Sequence, residues 1–532
     1  MSLQPEGARP SIWELTAELP VLARLDADAV ADVCIIGAGM AGLSTAYELL
    51  QAGRSVIVLD DGAIGGGETG RTTAHIATSV DDYYHEIERL HGEEVSRLLG
   101  ASYRAAVDRI EAVVETESID CDFVRLDGWW FAPPGRADDV ALLAKERDAA
   151  HRAGFPDVEL VSTWPLAAVI PGDAAAGCLR FPRQAQFHAL RYLAGLANAI
   201  VQHGGRIYTG AHVTRVEDST ADAPCAVTTD DGLTVRARDV VVATNTPFND
   251  RVAMHTKQAP YRTYVIAAKV PRGLVPAGLY WDTLDPYHYV RLLGGHDEES
   301  QPHDVLIVGG EDHKTGQEGD ENIHFESLER WSRSHFPISD VVARWSGQVL
   351  EPVDHVAFIG RNPAEEHVYI VTGDSGNGIT HGAVAGLLLR DLITGVASEW
   401  TAVYDPSRIS LRSASTWIAE NANVARQYMD LVTRGEVHSA DNIPPGEGRV
   451  LRAGVHKLAV YRSNAGALTV RSAVCPHLGC IVDWNSAEKS WDCPCHGSRF
   501  STEGEVLNGP AVSALAAAEL SEKDRRGTSA AT

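Results

Sequence analysis

Near its C-terminal end the chain carries two short boxes, Cys475-Pro476-His477-Leu478-Gly479-Cys480 and Cys493-Pro494-Cys495-His496-Gly497-Ser498. Together they read C-x-H…C-x2-H, a pattern of two thiolates and two imidazoles. Such a set suits a tetrahedral zinc ion. It also suits a [2Fe–2S] cluster in which two thiolates hold one iron and two imidazoles hold the other. Neutral imidazoles make that cluster less negative and easier to reduce, so such a site moves single electrons. Cys480 and Cys495 are surplus to a four-ligand zinc site and weigh against it.

Both boxes resemble those of Rieske proteins of the cytochrome bc1 and b6f type. The resemblance implies that Cys475, His477, Cys493 and His496 are the cluster ligands and that Cys480 and Cys495 form a disulfide between the loops. Ser498 falls where the family's serine hydroxyl donates to a bridging sulfide. Phe500 departs from the pattern, because high-potential members carry a tyrosine whose hydroxyl bonds a ligand sulfur; its loss is expected to lower the potential. Asn508-Gly509-Pro510 resembles the proline loop that covers the cluster.

A second chemical signature lies at the front. Val33-Cys34-Ile35-Ile36 reads as a buried strand and runs into Gly37-Ala38-Gly39-Met40-Ala41-Gly42. Leu43, Ala46, Leu49 and Leu50 recur at helical spacing, Gly53 stops the helix, and Val56-Ile57-Val58-Leu59 forms a second strand ending at Asp60. This unit binds dinucleotides. Gly37 makes the tight turn, Gly39 admits the pyrophosphate, Gly42 lets helix pack on strand, and Asp60 accepts from the ribose. The unit alone leaves NAD and FAD open.

Further segments resemble the D-amino-acid oxidase family of FAD enzymes, which includes sarcosine oxidase and γ-glutamylputrescine oxidase. They are the loop Gly65 to His75, with Thr69, Arg71 and Thr72, and the turn after Val368–Val371, with Gly373, Gly376, Gly378, Ile379 and Thr380. Val213 and the run Val240 to Asn245 match strands around the cofactor. The resemblance implies FAD contacts at these residues and a helix N-terminus, partly positive, aimed at the flavin ring. No second GxGxxG follows, so a separate NAD(P)H site is not expected. The implied fold class is α/β, a Rossmann-like FAD-binding domain with an inserted antiparallel β substrate domain, plus a C-terminal all-β Rieske domain.

The expected divisions are an oxidoreductase domain at 31–395, a helical connector at 396–440, the Rieske domain at 441–522 and a flexible tail at 523–532. Within the first, segments 31–115, 186–250 and 346–395 are expected to bind FAD, and 120–185 with 255–345 to form the substrate domain. Arg291 sits where family members often hold a substrate carboxylate, with a structural arginine as the plainer reading. His75 is a candidate to face or bond the flavin, with a packed histidine as the plainer reading. His313-Lys314 and His381 lie beside expected flavin-facing turns. The lysine that helps sarcosine-oxidase-like members reduce O2 has no counterpart on Leu306-Ile307-Val308.

The 532 residues suggest about two to four domains. A net charge of −26 disfavours nucleic acid and anionic membranes as partners. No run is long enough to span a membrane and no export signal is visible, so a cytoplasmic location is expected, with the bridge beside the cluster as a local exception to the redox rule. The expected function is a FAD-dependent dehydrogenase of an amine or amino-acid C–N bond that passes electrons through the cluster to an external acceptor. The alternatives are an O2-using amine oxidase with a structural or regulatory cluster, and a non-catalytic electron-transfer adaptor.

Overall fold

The strand Ala29–Ile36 is apolar on both faces over its second half, as a strand covered on both sides by helices must be. In the computed structural model, which describes residues 9–526 except 137, 170–176, 250–253, 295–301, 432 and 434, it is central to a parallel sheet. Val56–Leu59 pairs with one edge and Thr234–Val242 with the other, placing Cys34 opposite both Ile57 and Val240. Arg206–Tyr208 and Val368–Thr372 extend the sheet in parallel, and Phe358–Arg361 closes one edge antiparallel. Helices Met40–Gln51 and Gly378–Thr394 pack together on this sheet, and glycine is required where they meet. A Cβ on Gly382 would stand 2.6 Å from Met40 Cγ, and one on Gly386 2.9 Å from the Ser44 carbonyl carbon.

A second, mostly antiparallel sheet follows the order Val341–Pro352, Gln258–Pro271, His303–Lys314, His288–Leu293, Leu279–Asp282, Val124–Ala132, Gly177–Gln186 and His75–Ile76. It differs from the expected divisions in two places. Val341–Pro352 pairs with Gln258–Pro271 throughout, so a boundary at residue 346 would cut a continuous ladder. His75–Ile76, from the front segment, pairs onto Gly177–Gln186 and ties the cofactor loop into this sheet.

The helix Ala414–Gln427 has no buried residue of its own, but Val424 and the following Tyr428 pack on the last core cluster. Beyond it, Glu447–Ala453, His456–Arg462 and Leu468–Ser472 form one small antiparallel sheet. Asp483–Asn485, Ser490–Asp492, Arg499–Phe500 and Val506–Asn508 form another. Of the expected tail, residues 527–532 lie outside the described residues.

The C-terminal sheets are fixed to the rest by a buried ionic knot. Glu488 Oε2 accepts from Arg262 Nη2 at 2.6 Å and Arg499 Nη2 at 2.5 Å, and Glu488 Oε1 from Arg71 Nη1 at 3.4 Å. Arg499 Nε also donates to Asp492 Oδ1 at 3.0 Å. Charges this deeply buried cost several kcal/mol each to desolvate, about as much as their pairing returns, so the knot acts chiefly to fix one docking register.

Candidate active site and cluster centre

A cavity of about 820 Å³ runs along the C-terminal ends of the parallel strands, beneath the second sheet. That volume lies in the upper range for cofactor and small-molecule sites. Its walls fit a dinucleotide. Gly37 has φ +107°, and a Cβ there would fall 2.5 Å from the Ala243 carbonyl oxygen. A Cβ on Gly42 would fall 1.9 Å from Gly37 O, so both positions tolerate only glycine. Asp60 braces the turn, its Oδ2 accepting from Ala38 N at 2.6 Å and its Oδ1 from Gly62 N at 2.8 Å. Burial pushes its pKa up to about 6 against those bonds. Thr69 Oγ1 accepts from the Met40 N–H at 3.1 Å, beside the helix N-terminus where anions are favoured.

Gly37, Gly39, Asp60, Thr69, Arg71, Thr72, His75, Val213, Gly376, Gly378 and Ile379 all line this cavity. Gly42, Gly373 and Thr380 do not. Gly42 serves helix–strand packing, Gly373 makes a left-handed turn against Pro352, and Thr380 donates to the Ala77 carbonyl at 3.1 Å. The N-terminus of Gly378–Thr394 opens into the cavity at Gly378.

Arg291 corrects the sequence expectation. It is 1 % exposed, and its Nη1 donates to the carbonyls of Thr73 at 3.0 Å, Ala74 at 2.8 Å and Phe187 at 3.1 Å. Three carbonyls hold the guanidinium outside the cavity, so the plainer structural role is the one observed. His75 does line the cavity. Its ring stands edge-on to Tyr289 at 5.7 Å, its Nδ1 meets Thr73 Oγ1 at 3.1 Å, and its Nε2 is buried without a hydrogen-bond partner. Burial and then Arg291 lower its pKa to about 3, leaving a neutral imidazole too feebly basic for proton abstraction. His381 lines the cavity too, held between Tyr103 Oη and the Asp374 carbonyl and lowered to about 4 by burial. His313 instead stacks on His324, and Lys314 pairs with Glu420 at 2.5 Å.

The two C-terminal boxes form matching turns. Cys475 N donates to Cys480 O and Cys493 N to Ser498 O, each at 2.8 Å, with Gly479 and Gly497 in left-handed conformations. The Cys475 and Cys493 thiols share a hydrogen bond, and the His477 and His496 ring centroids lie 5.0 Å apart. Burial lowers the His496 pKa to about 3, with help from His255 and His477, which leaves the neutral imidazole a metal requires. Cys480 and Cys495 are joined by a disulfide, so their sulfurs are not ligands. Ser498 Oγ accepts from Ala511 N at 3.1 Å, linking the second loop to the segment after Asn508-Gly509-Pro510. This donor set and its bracing fit a cluster with mixed ligation.

Phe500 is fully buried among the cluster-loop residues. Phe500→Tyr is expected to raise the cluster's midpoint potential by restoring a hydroxyl donor. A redox titration followed by electron-spin resonance checks this, and an unchanged potential would count against the local resemblance.

The two sites share a wall. Gln348 lines the cavity, and a Cβ on Gly497 of the second box would stand 2.7 Å from Gln348 Nε2. Asn508 and Gly509 line the same cavity, and Asn508 Nδ2 donates to Glu68 Oε1 at 2.9 Å. Glu68 Oε2 in turn accepts from Gln348 N at 2.6 Å. The His255 ring packs 4.8 Å from that of His477 and 5.4 Å from that of His496. None of His255, Gln348 or Glu488 stands out in the sequence; each lies in an ordinary turn or strand and gains its place from docking.

Comparison with known proteins agrees with this geometry. A family model described as FAD dependent oxidoreductase matches residues 32–392, and one for the Rieske [2Fe-2S] domain matches 433–519. The chain belongs to the FAD-dependent oxidoreductase family of the D-amino-acid oxidase type and carries a C-terminal Rieske domain; its cofactors are FAD and a [2Fe–2S] cluster. It is 31% identical to YhfW of Bacillus subtilis (strain 168), provisionally named a Rieske 2Fe-2S iron-sulfur protein, over 96% of this chain and 98% of that one. It is 27% identical to the gamma-glutamylputrescine oxidoreductase of Escherichia coli (strain K12), over 70% of this chain and 85% of that one. Glycine oxidase from Geobacillus kaustophilus shares the fold, with a TM-score of 0.59 at 18% identity, covering 72% of this chain and 99% of that one. The protein is thus an FAD-dependent oxidoreductase. Among the described residues no helix is long and apolar enough to cross a membrane.

Proposed function

We propose that this protein is an amine dehydrogenase that sends electrons from its flavin site to its own Rieske cluster and then to an external acceptor. The observation that carries the proposal is the shared wall: Gln348 faces the cofactor cavity and touches the second cluster loop. Cys475, His477, Cys493 and His496 are the proposed ligands. FAD held in the cavity would supply a hydride acceptor for the carbon beside the amine nitrogen, and a cluster held by the four ligands would supply a one-electron acceptor. The amine becomes an imine, losing two electrons and two protons overall, and water hydrolyses it. Fixed docking gives the second acceptor a high effective concentration.

The chain's own residues arrange this. Gly37 and the helix beginning at Met40 receive the pyrophosphate, and Asp60 the ribose. The N-terminus at Gly378 favours negative charge on the flavin ring. Asn508 and Gly509 line one side of the cavity, and the second cluster loop packs behind Gln348 in that wall. Among the described residues no lysine lines the cavity, which supports a dehydrogenase over an oxidase.

Anaerobic stopped-flow reduction by a substrate amine tests the reading. Bleaching of the cluster is expected to follow bleaching of the flavin. A cluster that stays oxidised while the flavin is reduced overturns the electron path.

A further inference from the structure

The end of the cavity roofed by the second sheet is lined by acids and aromatics. Asp81, Asp312 and Glu351 line it beside Trp281, Tyr287 and Tyr289. Tyr289 is pressed onto the sheet where Gly309 leaves room; a Cβ there would stand 2.1 Å from the Tyr289 ring. Its hydroxyl meets Thr263 Oγ1 at 2.6 Å, and the Tyr287 and Tyr289 ring centroids lie 5.4 Å apart. Tyr287 Oη donates to both Asp81 oxygens at 3.3 Å, and Glu351 Oε2 accepts from Ser375 Oγ at 2.7 Å. Asp312 Oδ1 is buried and has no hydrogen-bond partner.

Among the described lining residues no lysine or arginine pairs with these acids. Arg71 is the single lysine or arginine among the described lining residues, and its guanidinium is turned to the Ser346 carbonyl at 3.0 Å and to Glu488. Arg291 is spent on three carbonyls, the cavity's His75 and His381 are neutral, and its His212, raised to about 9 by Asp61, is paired with that carboxylate at 3.4 Å. A substrate carboxylate would find no lysine or arginine counter-ion at this end and would face a cluster of carboxyl groups. An ammonium would find the carboxyl groups of Asp81, Asp312 and Glu351 and aromatic faces, the surroundings that recognise cations. The crowded acids themselves favour an incoming cation: burial raises Asp312 to about 7 and, with Asp82 and Asp312 adding, lifts Asp81 far above the carboxylate range.

Resting on the amine-oxidising reading above, we propose that the substrate is a di- or polyamine carrying a second ammonium group, held by Asp312 and Asp81, and lacking a carboxylate beside the reacting nitrogen. This selects against α-amino acids, whose carboxylate would be desolvated here without a counter-ion.

The test uses the full-length holoprotein, with spermidine and putrescine against sarcosine and proline. Binding to the oxidised form is read by calorimetry and by perturbation of the flavin spectrum; reduction is read anaerobically. The polyamines are expected to bind at least about tenfold more tightly than the amino acids, and Asp312→Asn to weaken them about tenfold or more while flavin content holds. Tighter binding of sarcosine or proline, or flavin reduction by them alone, overturns the inference while leaving an amine dehydrogenase intact. Polyamine binding without reduction by any amine upholds the recognition site and removes the amine-oxidising reading instead. The ligand comparison on the unaltered protein decides the matter even if the variant fails to fold.

Discussion

Exchanging His477 for cysteine is expected to abolish the Rieske electron-spin-resonance signal while flavin content stays near that of the unaltered protein. The signal belongs to an iron held by two imidazoles, and a third thiolate changes both the charge and the asymmetry of the centre. His477 lies in a loop closed by its own backbone bonds and by the Cys480–Cys495 bridge, so the fold around it has other support. The flavin cavity is lined by none of the four proposed ligands. Retention of the signal in His477→Cys would sink the ligand assignment, and loss of flavin along with it would show that the two sites are not separable.

Glu488→Gln is expected to destabilise the docked C-terminal domain by about 3–5 kcal/mol, the usual cost of leaving a buried charge unpaired. The substitution strips Arg262, fully buried, of its carboxylate partner, leaving the Ser346 hydroxyl. Arg499 keeps Asp492. Calorimetry checks the stability, and the rate of cluster reduction by the flavin checks the docking. A variant with unaltered unfolding and unaltered transfer removes the knot from the account. The pH dependence carries a definite sign. Burial pushes the Glu488 pKa up, but Arg262, Arg499 and Arg71 together hold it far below the usual carboxylate range. A depressed folded value contributes stability above the unfolded value and loses it only as pH falls through the folded one. The knot's contribution should therefore stay constant from pH ~8 down to about 5, and fade only in strong acid.

Much of this molecule is legible one segment at a time. Gly37, Gly39, Gly42 and Asp60 announce a dinucleotide turn because backbone contacts within some twenty-five residues determine it. Cys475, His477, Cys493 and His496 announce a cluster because its ligands come from two tight turns of fixed spacing. Those signals are local, so the order of residues along the chain suffices. Arg291 shows where that order stops. Its position matches one where family members often hold a substrate carboxylate, yet whether a guanidinium meets ligand or carbonyl depends on three backbone oxygens from residues over a hundred positions away.

Tertiary structure alone decided how the two redox sites meet. Glu488 looks like any turn carboxylate until Arg262 and Arg71, over two hundred residues distant, close on it. Gln348 becomes the shared wall only when a loop some hundred and fifty residues later is pressed against it. The acids at the roof of the cavity are likewise ordinary strand and loop residues in the linear order; Asp81, Asp312 and Glu351 converge from three separate segments. The amino-acid order specified which cofactors the chain can hold, since each is gripped by a contiguous motif. Packing between distant segments specified which side chains line the cavity and how the cluster loops dock against its wall, because a cavity's lining and a docking register are sums over side chains that no single stretch of sequence contains.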